Sequence, residues 1–159
     1  MEPNGLKAFQ EYNNKLIPFF LKNKITLSEN NYIPFHFVCG ILVRKGWECF
    51  FLKKHIMVVT GSDDFSEIKI KESLYLLGVS KVSFYRISKT RSMEEKLNLE
   101  PFLNDNIDMC LVAAGIGSAN ILRQLELLNT VVLDVGGFIN CLVDTSSSQH
   151  GGIFKFPKC

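Results

Sequence analysis

The stretch DMCLVAAGIGSANILRQLELLNTVVLDVGG, residues 108–137, runs from an apolar strand through a glycine loop into a helical pattern and out through a second apolar strand. A strand that is apolar at nearly every position has to be covered on both faces, which is the condition of a parallel sheet whose crossovers carry helices. The same grammar appears upstream. HIMVVTG is a short β-branched run closed by glycine. SDDFSEIKIKESLYLLG follows it with a capping-type pair, Asp64 and Glu67, an inward face of Ile70, Leu74 and Leu77, and Gly78 where a helix ends. KVSFYRIS alternates as a strand, and SMEEKLNLEPFLND reads as a helix or long loop interrupted by Pro101. IDMCLVAAG is then a third strand, Ser118 to Asn129 a helix with Ile121, Leu122, Leu125 and Leu128 inward, and TVVLDVGG a fourth strand. The fold class predicted is α/β, a Rossmann-like open parallel sheet of about four or more strands with flanking helices and right-handed crossovers.

A chain of 159 residues suits one domain with its own core. Within it the pattern separates a helical N-terminal segment, 1–54, the Rossmann-like core, 55–144, and a tail, 145–159. Leu6, Phe9, Leu16, Phe19 and Phe20 recur near helical spacing, predicting an amphipathic helix over 5–22 disturbed near Pro18. The apolar segment 32–52 reads as mostly helical, with Trp47, Phe50 and Phe51 packing onto the sheet and Lys53 and Lys54 solvated. Of the histidines, His36 is expected in core or interface and His55 exposed at a strand start. In the tail, Ile153, Phe154 and Phe156 are placed to dock on the sheet edge.

Charge narrows the partners. With 18 basic against 16 acidic residues, nothing draws the chain to nucleic acid or an anionic membrane, and the basic-aromatic run LVRKGWECFFLKKH lacks the footprint of a nucleic-acid binder. No apolar run approaches the roughly 18–20 residues of a membrane span. Five cysteines, Cys39, Cys49, Cys110, Cys141 and Cys159, have no zinc-type spacing and read as reduced thiols in a cytoplasmic protein. A protein partner or a second copy would meet the chain through residues 5–52.

In an open α/β sheet, ligands collect beyond the carboxyl ends of the strands. Three loops are expected on that rim: Thr60-Gly61-Ser62-Asp63, Gly115-Ile116-Gly117-Ser118-Ala119, and Asp134-Val135-Gly136-Gly137. Gly115 and Gly117 permit a close or twisted backbone, and the free N–H groups at a helix start, from Ser118 on, receive a phosphate. The same glycines also serve simply as tight strand-to-helix turns. On the ligand reading, Gly117→Val abolishes binding and leaves the fold. Asp134 either accepts from sugar hydroxyls or caps its own loop, and Ser62 and Asp63 either touch ligand or cap a helix. His150, in SSQHGG, is either a lid-borne acid or base or a solvated loop residue. Lys89 and Arg91 either neutralise phosphate or stand as solvated loop charges. Asp134 and His150 are the catalytic candidates; no metal-ligand cluster can be read from the spacing.

On the residues CLVAAGIGSANILRQLELLNTVVLDVGG the chain resembles the C-terminal part of the GT-D-type glycosyltransferase domain, in which a strand, small-residue loop and helix lead to a strand closing in Asp-hydrophobic-Gly, here Asp134-Val135-Gly136. HIMVVTG and KVSFYRIS fall in the matching order, so the resemblance covers roughly residues 55–144. It implies a cytosolic transferase using a nucleotide-sugar donor with Mn²⁺ or Mg²⁺, Gly115, Gly117, Ser118 and Ala119 beside the donor, and Asp134 and Gly136 closing the pocket. The acidic metal motif of that family is not found here. Two further classes stand beside this one: a non-catalytic Rossmann-like ligand-binding or protein-interaction module, and a dinucleotide-dependent enzyme, which the incomplete GxGxxG fingerprint disfavours.

Overall fold

The computed structural model describes residues 15, 18–24 and 48–144. Its centre is a four-stranded sheet of β1 (His55–Thr60), β2 (Lys81–Arg86), β3 (Met109–Ala113) and β4 (Val131–Asp134), in the order β2-β1-β3-β4 with every pair parallel. Helix α1 (Asp64–Leu76) joins β1 to β2, and helix α2 (Ser118–Leu125) joins β3 to β4. This is the Rossmann-like α/β architecture that the alternating pattern predicts. Among the described residues no helix is long and apolar enough to cross a membrane.

The strand order dictates the layering. From β1 the chain winds outward to β2, then returns across β1 to β3 and continues to β4; right-handed crossovers made in opposite directions lie on opposite faces of the sheet. Accordingly, Ile56, Val58, Met109 and Leu111 face α1 through Ile70 and Leu74, joined by Phe51, Val135 and Ile139. The alternate residues Met57, Val59, Cys110 and Val112 face α2 through Ile121 and Leu125. Period-two alternation thus splits each inner strand between two cores, and this is why β1 is buried at all six positions.

Local chemistry sets the ends of α1. Asp63 is its N-cap, the carboxylate accepting the Ser66 N–H at 2.9 Å, so the cap stands one residue before the pair anticipated at Asp64 and Glu67. Glu67 is used elsewhere: it takes Arg86, at the end of β2, in a two-pronged ion pair at 2.8 and 3.0 Å, with Asp64 on the same guanidinium. Gly78, at φ +84°, turns the chain out of the helix as expected.

The β2-to-β3 connection carries no α-helix. From Ile87 to Asp108 the chain is turns and loop with a single 3-10 turn at Glu100–Phe102, the one that contains Pro101. It covers the α2 face of the sheet with Leu97, Leu99, Phe102 and Ile107, and Tyr85 and Phe102 meet at 5.9 Å between ring centres. Two α2 side chains, one turn apart, bind its backbone. Asn120 Nδ2 donates to the carbonyls of Ser92 and Glu95, both at 2.9 Å; Gln124 Nε2 donates to Glu95 O at 2.9 Å, and Gln124 Oε1 accepts the Leu97 N–H at 2.8 Å.

His55 is buried, contrary to the expectation of an exposed strand start. Its Nδ1 lies 3.1 Å from Asn106 O, in the loop that enters β3, and its Nε2 2.9 Å from Ser83 Oγ on β2. Phe51 is fully buried and Phe50 half-buried against the α1 core, as their apolar run suggests. Residues 18–22 are helical, with Phe19 and Leu21 exposed. The remainder of the helix anticipated over 5–22, with His36, Trp47, His150 and the tail 145–159, lies outside the described residues.

Candidate functional site

β1 and β3 are neighbours whose following loops lead in opposite directions, so their carboxyl ends cannot be closed over by a single connection. A crevice opens there, the place where ligands bind in sheets of this winding. Its volume is about 570 Å³, and all four strand-end segments contribute: Thr60 to Asp63 after β1, Ile87 to Thr90 after β2, Ala113 to Ile116 after β3, and Gly136 and Gly137 after β4. Ile139 and Asn140 close one side from the 3-10 turn Gly136–Leu142.

The residues singled out from the sequence divide. Gly61, Ser62, Gly115 and Gly136 line the crevice; Gly117, Ser118, Ala119 and Asp134 are not among its lining residues. The reason lies in how the β3 loop winds. Residues Gly115–Gly117 form a 3-10 turn that runs straight into α2, with Gly117 N–H on Ala114 O at 3.1 Å and Ser118 N–H on Gly115 O. The leading N–H groups of the continuous helical run therefore belong to Gly115 and Ile116, the run starting three residues earlier than anticipated, and both residues line the crevice. Gly115 holds φ +57° with open space where a Cβ would stand, a conformation that only glycine adopts cheaply.

Gly117 has a different duty. A Cβ there would lie 2.2 Å from Ser92 Oγ and 2.7 Å from the Ser92 backbone carbon, so this glycine lets the β2-to-β3 connection lie directly on the start of α2. Ser92 is buried and donates to Ala114 O at 3.1 Å, completing the contact. Gly117→Val as a probe of binding alone is thus ruled out, because the substitution strikes packing first. Ser118 Oγ is buried with no hydrogen-bond partner among the described residues. Asp134 is half-buried and its Oδ1 accepts the Gly136 N–H at 3.1 Å, the self-capping geometry of an Asx turn.

The crevice walls are polar and nearly balanced in charge. Thr60 Oγ1 accepts the Ser62 N–H at 3.2 Å, and the two hydroxyls are hydrogen-bonded at 2.9 Å. Asp63 is the carboxylate of the lining; the Ser66 backbone N–H, aided by the Ser66 side chain and the Lys89 charge, holds its carboxyl below the ordinary value of 3.8. Lys89 is the cation of the lining. Arg91, equal to it in sequence terms, is not among the lining residues and faces Glu94 at 3.8 Å. Thr60, expected on the rim, lines the crevice; Ser88, Thr90 and Asn140, not anticipated from the sequence, carry no motif of their own, and their signal is position in the turn beyond a strand.

Among the described residues no three His, Cys, Asp or Glu side chains stand together to hold a metal ion. One carboxylate beside hydroxyls and an amide does not make a divalent-cation site of the kind the GT-D resemblance implies. Comparison with protein-family models, with curated proteins and with solved structures finds nothing that matches this chain.

Proposed function

We propose that the crevice between the ends of β1 and β3 binds a nucleotide or nucleotide-sugar, making the chain a glycosyltransferase-like ligand-binding domain. The observation that carries this reading is the meeting of all four strand-end segments around one crevice of about 570 Å³ at the point where the winding reverses. Its size falls within the range of small-molecule and cofactor sites, and its apolar floor of Ile87, Ala113, Ala114 and Ile139 beneath polar rims suits a base and sugar joined to a phosphate. Phosphate charge falls to Lys89 and to the N–H groups of Gly115 and Ile116 rather than to a protein-held cation. The reading assigns binding; no residue of the crevice is assigned a catalytic step.

A second reading, a protein-interaction module, has one observation in its favour: the outer face of α1 exposes Phe65, Ile68, Tyr75 and Leu76. The two readings separate in one experiment, thermal unfolding of the purified chain with UDP- and GDP-sugars, NAD and ATP, each with and without Mn²⁺. A ligand at about 100 times its dissociation constant adds roughly 2.7 kcal/mol of stability. A shift confined to one nucleotide class names the donor; absence of any shift removes the nucleotide reading and leaves the interaction module.

A further inference from the structure

We infer that the segment closing β2, Ser88-Lys89-Thr90, is the phosphate-recognising end of the crevice, with Lys89 the residue that selects for a phosphorylated ligand. The inference rests on the crevice being a ligand site, as proposed above, but not on the ligand being a nucleotide.

The exits of β1 and β2 meet at Gly61. A Cβ on that residue would lie 2.9 Å from Lys89 Cγ, 3.3 Å from Lys89 Cα and 3.2 Å from Ile87 O. The exit of β1 is bare so that the exit of β2 can pass directly over it, and this carries Lys89 from the edge of the sheet to the rim between β1 and β3. The other basic residues nearby are committed: Lys54 pairs with Asp108, Lys81 with Asp105, Arg86 with Glu67 and Asp64, and Arg91 with Glu94. Among the described residues Lys89 has no carboxylate at ion-pair distance, although its stem is packed and its charge reaches Asp63.

The neighbouring hydroxyl is arranged to donate. Ser88 Oγ accepts two N–H groups, from Thr90 at 3.3 Å and Arg91 at 3.1 Å, which occupies its lone pairs and leaves its proton for an acceptor outside the loop. The Thr90 hydroxyl stands on the same wall. At the end of the second strand of such folds a carboxylate accepts from the hydroxyls of a ribose. Here the same place presents an ammonium and hydroxyl donors, the complement of phosphate oxygens and not of a diol.

The test is an amide-resolved NMR titration of the full chain at about 0.15 M salt, where long-range attraction is screened. The probes are inorganic pyrophosphate, UDP, ADP and UDP-glucose; the proteins are wild type, Lys89→Met, Lys89→Arg and, as a charge control outside the crevice, Arg91→Met. Pyrophosphate is expected to shift the amides of Gly61, Ser88, Lys89 and Thr90 saturably. Lys89→Met should weaken it by about tenfold or more, as loss of a charge-assisted contact does, with Lys89→Arg and Arg91→Met within about threefold of wild type. Equal binding by Lys89→Met overturns the inference, as does a pyrophosphate response confined to the exposed Lys69 and Lys71 or no response at all. Pyrophosphate binding through Lys89 with no added affinity for any nucleotide upholds this inference and sinks the nucleotide reading. Nucleotide binding indifferent to Lys89→Met does the reverse.

Discussion

The missing side chain of Gly117 and the hydroxyl of Ser92 occupy the same space: a Cβ on the first would stand 2.2 Å from the Oγ of the second. The two residues are 25 positions apart and belong to different crossovers. Replacing Gly117 with alanine forces the Ser92 backbone away from α2, and a loss of about 1–3 kcal/mol is expected from overpacking of this kind. Gly115→Ala, where nothing stands within 4 Å and only φ +57° is strained, should cost about 1–2 kcal/mol. Urea unfolding of both variants checks the order; a Gly117 variant as stable as wild type would show that the contact is not made.

Asn120→Ala removes its hydrogen bonds to the Ser92 and Glu95 carbonyls; Gln124 still serves Glu95 O, while Ser92 O loses its side-chain donor. A loss of about 1–3 kcal/mol is expected. Native-state hydrogen exchange should show faster exchange at the Leu97 amide, which donates to the adjoining Gln124. Unchanged protection there would mean that the connection holds itself.

Asp108 supplies a pH dependence. Its carboxylate accepts the His55 N–H at 2.8 Å and Lys54 at 3.3 Å, and the first of these chiefly holds its carboxyl below the ordinary value of 3.8. A folded-state value below the unfolded one contributes stability above the unfolded pKa, and that contribution is lost as pH falls through the folded pKa. Asp108→Asn should therefore melt lower than wild type at pH 7, with the gap closing below about pH 4. A gap that stays constant from pH 7 to pH 2.5 would remove the ionised carboxylate from the account.

Cysteine reactivity should follow burial. Cys49 is exposed, whereas Cys110 and Cys141 are buried, and desolvation pushes the Cys110 thiol up to about 12. Because the thiolate is the reacting species, iodoacetamide on the native chain at pH 8 should label Cys49 and spare Cys110 until urea is added. Mass spectrometry reads the sites, and native labelling of Cys110 would contradict the packed β3.

What could be read from the sequence was whatever depends on neighbours in the chain. The four strands announce themselves as apolar runs, and Gly78 announces the end of α1, because burial on both faces and a left-handed turn each leave a mark on consecutive residues. The connection from β2 to β3 left no such mark. Leu97, Leu99, Phe102 and Ile107 are apolar as a helix would require, yet they are held in a loop by Asn120 and Gln124, whose polar side chains read from sequence as ordinary outward helix positions. Burial of His55 depended on Asn106 and Ser83, and the packing duty of Gly117 on Ser92. In the site, the glycine loops were legible as places of close approach, but which glycine lines the crevice and which packs on protein turned on a 3-10 turn that moves the helix start by three residues.

The tie between α2 and the 92–97 backbone has a bearing on how the crevice moves. The β2 side of the cleft cannot swing outward as a hinged flap, since doing so would break the amide clasps of Asn120 and Gln124 and bare Leu97 and Leu99 to water. The opposite side, Gly115 and Ile116 with Gly136 and Gly137, has two residues of positive φ, no Cβ contacts at its glycines, and an Ile116 that is 87% exposed. The cleft thus has one wall clamped to α2, with Lys89 riding on it, and a facing wall whose glycine backbones stand bare.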